Sequence, residues 1–159
     1  MIVAASDGAT SFLAIDEAAL IELAARLSPL ARDGATIYLE GALGVGKTTF
    51  ARALLRALGS EERVKSPTYS LVESYRIGEL NAHHLDLYRI GVPDELEWLG
   101  VPDLLESPVL FLVEWPERAG GRLPPADLKL QLRHSGDARD LAATACSARG
   151  FSLLRAWTE

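Results

Sequence analysis

The chain has 159 residues, 48% hydrophobic and 24% charged, a balance that excludes wholesale disorder and fits one globular domain. Sixteen basic and 22 acidic residues give a net charge of −6, whereas a protein that binds nucleic acid unaided usually has a basic excess. A single cysteine excludes an internal disulfide and a multi-cysteine zinc site. No apolar run reaches the roughly 20 residues of a membrane span, and no signal peptide is readable, so we expect a soluble cytoplasmic protein.

The predicted elements alternate between strands and helices. The run at 12–15 predicts a strand, Asp16 predicts a helix N-cap, and apolar residues spaced three and four apart predict the helix that follows. A buried strand is predicted over 35–39, and an amphipathic helix that Gly59 ends is predicted over 48–58.

The second half predicts two hairpins, a buried strand and two helices. Their ranges are strands at 69–75 and 82–88, a short helix at 93–99, a strand covered on both faces at 109–113, strands at 128–133 and 141–146, and a last helix at about 150–157. Interleaved strands and helices predict an α/β fold with a partly parallel sheet. We expect a single domain over 1–159, with its core at about 12–146.

A glycine-rich turn between the strand at 35–39 and the helix at 48–58 matches the pattern GxxxxGK[ST]. In this pattern backbone N–H groups and the start of a helix surround phosphate oxygens. The lysine reaches the β- and γ-phosphates, and the hydroxyl of the next residue binds Mg²⁺. The predicted nucleotide-binding residues are Gly41, Leu43, Gly44, Val45, Gly46, Lys47, Thr48 and Thr49.

The metal site needs an acidic residue, which in these folds ends an apolar strand beside the P-loop strand. Glu114 follows the strand at 109–113 and is the first candidate, for Mg²⁺ binding or water positioning. Asp86 is the second candidate, and either residue also fits a surface carboxylate. Trp115 either covers the strand edge or lies near the nucleotide.

Three other features have less specific interpretations. The segment Ser66, Pro67, Thr68 and Tyr69 fits a switch that senses the γ-phosphate, or a Ser-Pro turn before a strand. His83 and His84 are expected to be packed or solvated and not to bind a metal. Cys146 is expected to be a small core residue.

Four segments occur in a fixed order: GALGVGKTTF at 41–50, VKSPTYSLVE at 64–73, HLDLYR at 84–89 and VEWPER at 113–118. Together they closely resemble the TsaE (YjeE) family, small bacterial P-loop ATPases required for making threonylcarbamoyladenosine on transfer RNA. The resemblance covers about 12–146. It implies a P-loop NTPase-like three-layer α/β fold, with a mostly parallel central sheet plus antiparallel hairpin strands.

The resemblance also implies roles for individual residues. Lys47, Asp86 and Glu114 form the catalytic set, with Thr48 and Glu114 on the metal and Asp86 near the γ-phosphate or metal. The segment 66–69 becomes switch-like, and Arg139 is a candidate for the C-terminal part of the nucleotide pocket. The chain departs from many relatives at one P-loop position, where Ala42 replaces an acidic residue.

The cofactors implied are ATP, with ADP as product, and Mg²⁺. The partner implied is a TsaB–TsaD-like heterodimer that modifies the adenosine next to the anticodon and is reset by ATP hydrolysis. Transfer RNA is then contacted only through the complex, and neither DNA nor a membrane is a partner. No residue is a secure general base or arginine finger, so hydrolysis is expected to be slow without the heterodimer.

Two other functions remain open from the residues alone. One is a small-molecule P-loop kinase, for which Arg118 and Arg122 would belong to a lid over the phosphates. The other is an ATP-gated binding module with negligible hydrolysis. A GTPase is disfavoured because the chain contains no Asn-Lys-x-Asp tetrapeptide for guanine.

Overall fold

The computed structural model describes residues 2–60, 71–98, 100–104 and 108–159. Within these ranges the strands are β1 (Ile2–Ser6), β2 (Ala9–Ile15), β3 (Ala35–Gly41), β4 (Val72–Ile77), β5 (Leu80–Asp86), β6 (Val109–Glu114), β7 (Leu128–Ser135) and β8 (Ala138–Ala145). The α-helices are α1 (Glu17–Leu27), α2 (Lys47–Ala57), α3 (Glu95–Trp98) and α4 (Ala148–Thr158). Short 3₁₀ turns lie at Ser28–Ala31, Val101–Leu104 and Pro116–Ala119.

The described strands form one sheet in the order β1-β2-β8-β7-β3-β6-β5-β4. Its centre, β7-β3-β6-β5, is parallel, and the outer pairings are antiparallel. This arrangement confirms the predicted P-loop NTPase-like fold. The carboxyl ends of β3, β5 and β6 meet at one edge, where ligands bind in open α/β sheets.

Packed helices and turns cover both faces of the sheet. Helices α1, α2 and α4 pack on one face around a core that includes Leu20, Phe50 and Trp157. A smaller core on the other face includes Leu96 of α3 and Val101. Strand β6 contributes alternate residues to the two cores, which confirms that this strand is covered on both faces.

Most predicted elements are confirmed. The Asp16 side chain accepts the Ala19 N–H at 2.8 Å and so caps α1, and both predicted hairpins form as β4–β5 and β7–β8. Strand β1 was not predicted. The prediction for Cys146 is wrong: the side chain is exposed, because the buried positions of β8 are Leu141 and Ala143 and Cys146 falls outside that alternation.

The switch-like segment 66–69 lies outside the described residues, as does position 99 at the end of the predicted short helix. No helix among them combines the length and the apolar character that crossing a membrane would require.

Candidate nucleotide-binding site

The glycine-rich loop joins the end of β3 directly to the start of α2. Gly41 and Gly46, at its two ends, have φ values of +141° and +122°, which side chains rarely adopt. A Cβ at Gly41 would lie 2.5 Å from the Leu132 carbonyl oxygen, and one at Gly46 would lie 2.8 Å from Leu20 Cδ2. Glycine is therefore required at both positions by backbone conformation and by the closeness of the neighbours.

The hydroxyl of Thr48 lies against a buried carboxylate. Thr48 Oγ1 is 2.8 Å from Glu114 Oε1 and 2.9 Å from Glu114 Oε2, so the hydroxyl donates its hydrogen to this carboxylate. Glu114, the last residue of β6, is only 2% exposed. The structure thus brings together the two residues that the sequence predicted as metal ligands.

A second side chain holds the same carboxylate. His84 Nε2 lies 2.6 Å from Glu114 Oε2, and the histidine is 0% exposed. The sequence predicted a packed or solvated histidine here, and the contact with Glu114 was not predicted. The sequence did contain a signal for it. His84 and Asp86 are two positions apart on β5 and so lie on one face of the strand, and Asp86 ends its strand as Glu114 ends β6.

The Lys47 side chain is buried within the loop. Its ammonium donates a hydrogen bond to the Gly41 carbonyl and lies 3.6 Å from the centroid of the Trp115 ring, a cation–π contact. Burial lowers the pKa of Lys47, and the nearby carboxylates of Glu114, Asp86 and Glu117 oppose that shift. Trp115 therefore follows the end of β6 and contacts the P-loop lysine, and its predicted place near the nucleotide stays a prediction.

Asp86 ends β5 beside Glu114, its partner in the parallel register. Its Oδ1 accepts the Tyr88 N–H at 3.0 Å. Burial raises the pKa of Asp86, and the Glu114 carboxylate adds to the rise, while the Tyr88 N–H, His84 and Lys47 act in the opposite direction. A half-buried carboxylate that holds protons more readily than usual is typical of functional sites.

A cavity of about 150 Å³ joins these groups. Its lining contains most of the predicted site residues: Leu43, Gly44, Gly46, Lys47, Thr48, Thr49, Asp86, Glu114 and Trp115. Val45 is instead fully buried in the helix-side core. Arg139 reaches the loop from β8, with Nη1 3.3 Å from the Cβ position of Gly46.

The residues present fit a Mg²⁺ ion bound together with phosphate. A hydroxyl has one hydrogen and two lone pairs, so Thr48 retains acceptor capacity after donating to Glu114. Among the described residues no three His, Cys, Asp or Glu side chains cluster as a metal site. Mg²⁺ does not need such a cluster, because it usually takes one or two protein oxygens and completes its shell with phosphate oxygens and water.

The strand, glycine-rich loop and helix, with an acid ending the adjacent parallel strand, define a P-loop NTPase-like protein. The family model described as "Threonylcarbamoyl adenosine biosynthesis protein TsaE" matches residues 14–141. The chain therefore belongs to the TsaE family, as the resemblance of its motifs implied.

Individual relatives agree with this assignment. The tRNA threonylcarbamoyladenosine biosynthesis protein TsaE of Haemophilus influenzae is 40% identical over 122 residues, which cover 77% of each chain. The protein of the same name from Bacillus subtilis is 36% identical over 120 residues, or 75% of each chain. The crystal structure of Bacillus subtilis YdiB superposes with a TM-score of 0.72 over 99% of this chain and 96% of that one; at 24% identity it shows a shared fold.

Proposed function

We propose that this protein is a Mg²⁺-dependent ATPase of tRNA threonylcarbamoyladenosine biosynthesis, which acts on a TsaB–TsaD-like heterodimer and resets it between turnovers. The observation that carries the proposal is the contact between the Thr48 hydroxyl and the buried Glu114 carboxylate at the start of α2. The names of the Haemophilus influenzae and Bacillus subtilis relatives support the pathway.

The loop supplies phosphate binding. Gly46 occupies the N-cap position of α2 and has no side chain to cap it, so the first N–H groups and the positive end of the helix are available to an anion. Lys47 would exchange its contact with the Gly41 carbonyl for phosphate oxygens, and Thr49 would contact the α-phosphate. When bound, Mg²⁺ would neutralise charge on the β- and γ-phosphate oxygens.

Thr48 and Glu114 would hold that ion, the threonine through its free lone pairs and the glutamate directly or through water. Asp86, beside Glu114 at the strand ends, would accept a hydrogen bond from the attacking water and so orient it. Fixed groups aimed at the phosphates lower the barrier without reorganising during the reaction.

The kinase alternative would use Arg118 and Arg122 as lid residues, and Arg122 is engaged elsewhere. Arg122 forms ion pairs with Asp94 and with Glu97, the latter at 3.4 Å. The Arg118 guanidinium stacks against two aromatic rings, 5.1 Å from the centroid of Tyr88 and 5.5 Å from that of Trp115. Because neither arginine is a secure arginine finger, the heterodimer is expected to complete the site, and hydrolysis by the chain alone to be slow.

The net charge bears on whether this chain contacts transfer RNA directly. A net charge of −6 disfavours direct contact with the polyanionic transfer RNA. We therefore assign RNA binding to the partners, in the cytoplasm, and nucleotide turnover to this chain as one domain over residues 1–159.

An ATPase assay with and without the heterodimer tests the proposal. Wild type should be slow alone and faster with the partners. Lys47→Ala should lose nucleotide binding, because the cationic phosphate contact is gone. Glu114→Ala should bind nucleotide but lose at least about tenfold in turnover, the usual cost of disturbing groups that orient a metal.

Lys129→Ala is the matched control, since Lys129 is an exposed lysine on β7 and should behave as wild type. Normal hydrolysis by Glu114→Ala would contradict the metal assignment. Equal turnover with and without the heterodimer would contradict the coupling. A phosphorylated small molecule in place of free phosphate would establish the kinase instead.

A further inference from the structure

We propose that His84 is a positioning residue, which holds the Glu114 carboxylate in the orientation that receives the Thr48 hydroxyl and serves the metal. This inference rests on the proposed function, because it concerns the same carboxylate. His84 is not one of the residues that line the cavity; it acts through its 2.6 Å contact with Oε2 of Glu114, which is one of them.

The sheet register places His84 behind the site. Strands β5 and β6 run parallel, with His84 opposite Leu112 and Asp86 opposite Glu114. Because side chains alternate along a strand, His84, Asp86, Leu112 and Glu114 all point to the same face, the face that carries α2. The imidazole is therefore one step further from the strand ends than the two carboxylates, and it reaches Glu114 from beneath.

The buried carboxylate needs hydrogen-bond donors, and among the described residues the side chains of His84 and Thr48 supply them. A charge that is 2% exposed must be compensated by hydrogen bonds or a counter-charge. Thr48 donates between the two oxygens, and the His84 N–H donates to Oε2 alone. The second donor prevents rotation of the carboxylate about its axis. Without the His84 hydrogen bond, the attraction of the nearby Lys47 ammonium could turn the Glu114 carboxylate away from this orientation.

The other ring nitrogen argues against a packing role. Since the carboxylate accepts at Nε2, that nitrogen carries the hydrogen, and within the described part of the chain Nδ1 is buried without a hydrogen-bond partner. A buried polar atom without a partner is unfavourable, and an apolar side chain of similar size would avoid it. The contact with Glu114 is what the histidine provides and a leucine would not.

The neighbouring histidine is a natural control. His83 is 7% exposed and points to the opposite face, where its ring centroid lies 5.3 Å from that of Phe111. Its Nδ1 lies 2.7 Å from Ser74 Oγ. The chain thus contains two adjacent buried histidines, of which only His84 contacts Glu114; His83 is instead hydrogen-bonded to Ser74 and to the backbone of Leu104.

The test compares His84→Gln with His84→Asn in the full-length chain. The glutamine amide nitrogen reaches about as far from the backbone as Nε2 and can donate to Glu114, whereas the asparagine amide reaches only to the position of Nδ1. Both keep a polar side chain, so they differ mainly in that one hydrogen bond. His83→Asn serves as the control for loss of a buried histidine.

Calorimetric titration with ADP, in Mg²⁺ and in EDTA, is the first readout. We expect His84→Asn to bind ADP in EDTA as wild type does and to lose roughly tenfold of the affinity that Mg²⁺ adds. His84→Gln should restore most of it, and His83→Asn should retain it. In the ATPase assay His84→Asn should lower kcat/KM for Mg²⁺–ATP at least about tenfold, because Glu114 acts on the metal that accompanies the nucleotide.

Wild-type dependence on Mg²⁺ in His84→Asn would overturn the inference. The same would follow if His83→Asn and His84→Asn lost it equally, because the effect would then be general to the core. If His84→Asn does not fold, failure of His84→Gln to retain the Mg²⁺ effect overturns the inference. A wild-type chain that binds no ADP in Mg²⁺ would instead refute the proposed function.

Discussion

The N-termini of α1 and α2, two helices of equal length packed on the same face of the sheet, are built differently. Helix α1 is capped by its own sequence: Asp16 accepts the Ala19 N–H, and Glu17 adds an acidic residue to the first turn. Helix α2 starts at Gly46 with no side-chain cap, and its first turn is Lys47, Thr48 and Thr49. Helix α4 is capped in the same way as α1, because the Ser147 side chain accepts the Gly150 N–H.

The difference separates stability from binding. A capped terminus gains about 1 kcal/mol of stability and leaves fewer N–H groups for an external anion. The start of α2 forgoes that gain, and around it the chain buries Lys47, Glu114 and His84, groups that are costly to remove from water. The start of α2, where the proposed ligand binds, is therefore a region in which the chain leaves polar groups less well satisfied by its own side chains.

The largest expected effect is the loss of nucleotide affinity on placing a side chain at the N-cap of α2. Gly46→Ala places a Cβ at φ +122° and 2.8 Å from Leu20 Cδ2, a strain of about 1–3 kcal/mol that the loop must move to relieve. We expect affinity for Mg²⁺–ADP to fall by at least about tenfold, since 1.4 kcal/mol corresponds to a factor of ten. Isothermal titration calorimetry measures this loss.

Gly59→Ala, at the other end of α2, is the matched control. Its φ is +100°, yet a Cβ there would have no neighbour within 4 Å. Backbone strain should lower the stability of this variant and leave nucleotide affinity unchanged. Equal affinity losses in the two variants would mean that strain anywhere in α2 disturbs the site, and the special role of its N-terminus would be wrong.

The same contrast explains how much the sequence could predict. Caps, glycine turns and alternating strands are local, so the Asp16 cap, the loop at 41–46 and both hairpins follow from neighbouring residues alone. Glu114 was also predictable, because a continuous apolar strand ending in an acid is a local signal. Its pairing with Thr48 needed only the general rule for P-loop folds.

Features that depend on sheet order were not predictable. The contact between His84 and Glu114 joins residues 30 positions apart, and it exists only because β5 lies beside β6 in a parallel register. Arg139 was a candidate only through the family resemblance, because its placement beside the loop depends on β7 lying next to β3 and β8 next to β7. Strand β1 pairs with β2 alone, at the sheet edge, and its short run carries no clear period.

A smaller effect is expected from removing the cap of α1. Asp16→Ala leaves the Ala19 N–H without its 2.8 Å partner and should lower the free energy of unfolding by about 1 kcal/mol. Nucleotide affinity should not change, because α1 takes no part in phosphate binding. Urea denaturation measures the first quantity and calorimetry the second.

Asp16→Asn, whose side-chain oxygen still accepts the hydrogen bond, should keep nearly all the stability. The comparison between the two helices would fail if Asp16→Ala weakened nucleotide binding as Gly46→Ala does. It would also fail if the alanine variant were as stable as wild type, because the α1 cap would then contribute nothing.

The smallest expected effect is on the free energy of unfolding, which the buried charge of Asp86 lowers at neutral pH. Because burial raises the pKa of Asp86 above its unfolded value, the native state binds this proton more tightly than the unfolded state does. The stability that the protonated group contributes is complete at low pH and is lost as the pH rises through the raised pKa. Asp86→Asn keeps an acceptor for the Tyr88 N–H and removes the charge, so it should be more stable than wild type at neutral pH.

Thermal unfolding of the two proteins across a pH series measures this difference. The advantage of Asp86→Asn should shrink as the pH falls towards the ordinary aspartate pKa of 3.8, where both states of the wild type become protonated. A variant that is less stable than wild type at neutral pH would show that the Asp86 charge stabilises the fold. Asp86 would then stabilise the fold as Asp16 does, and the separation of stability from binding would not extend to this residue.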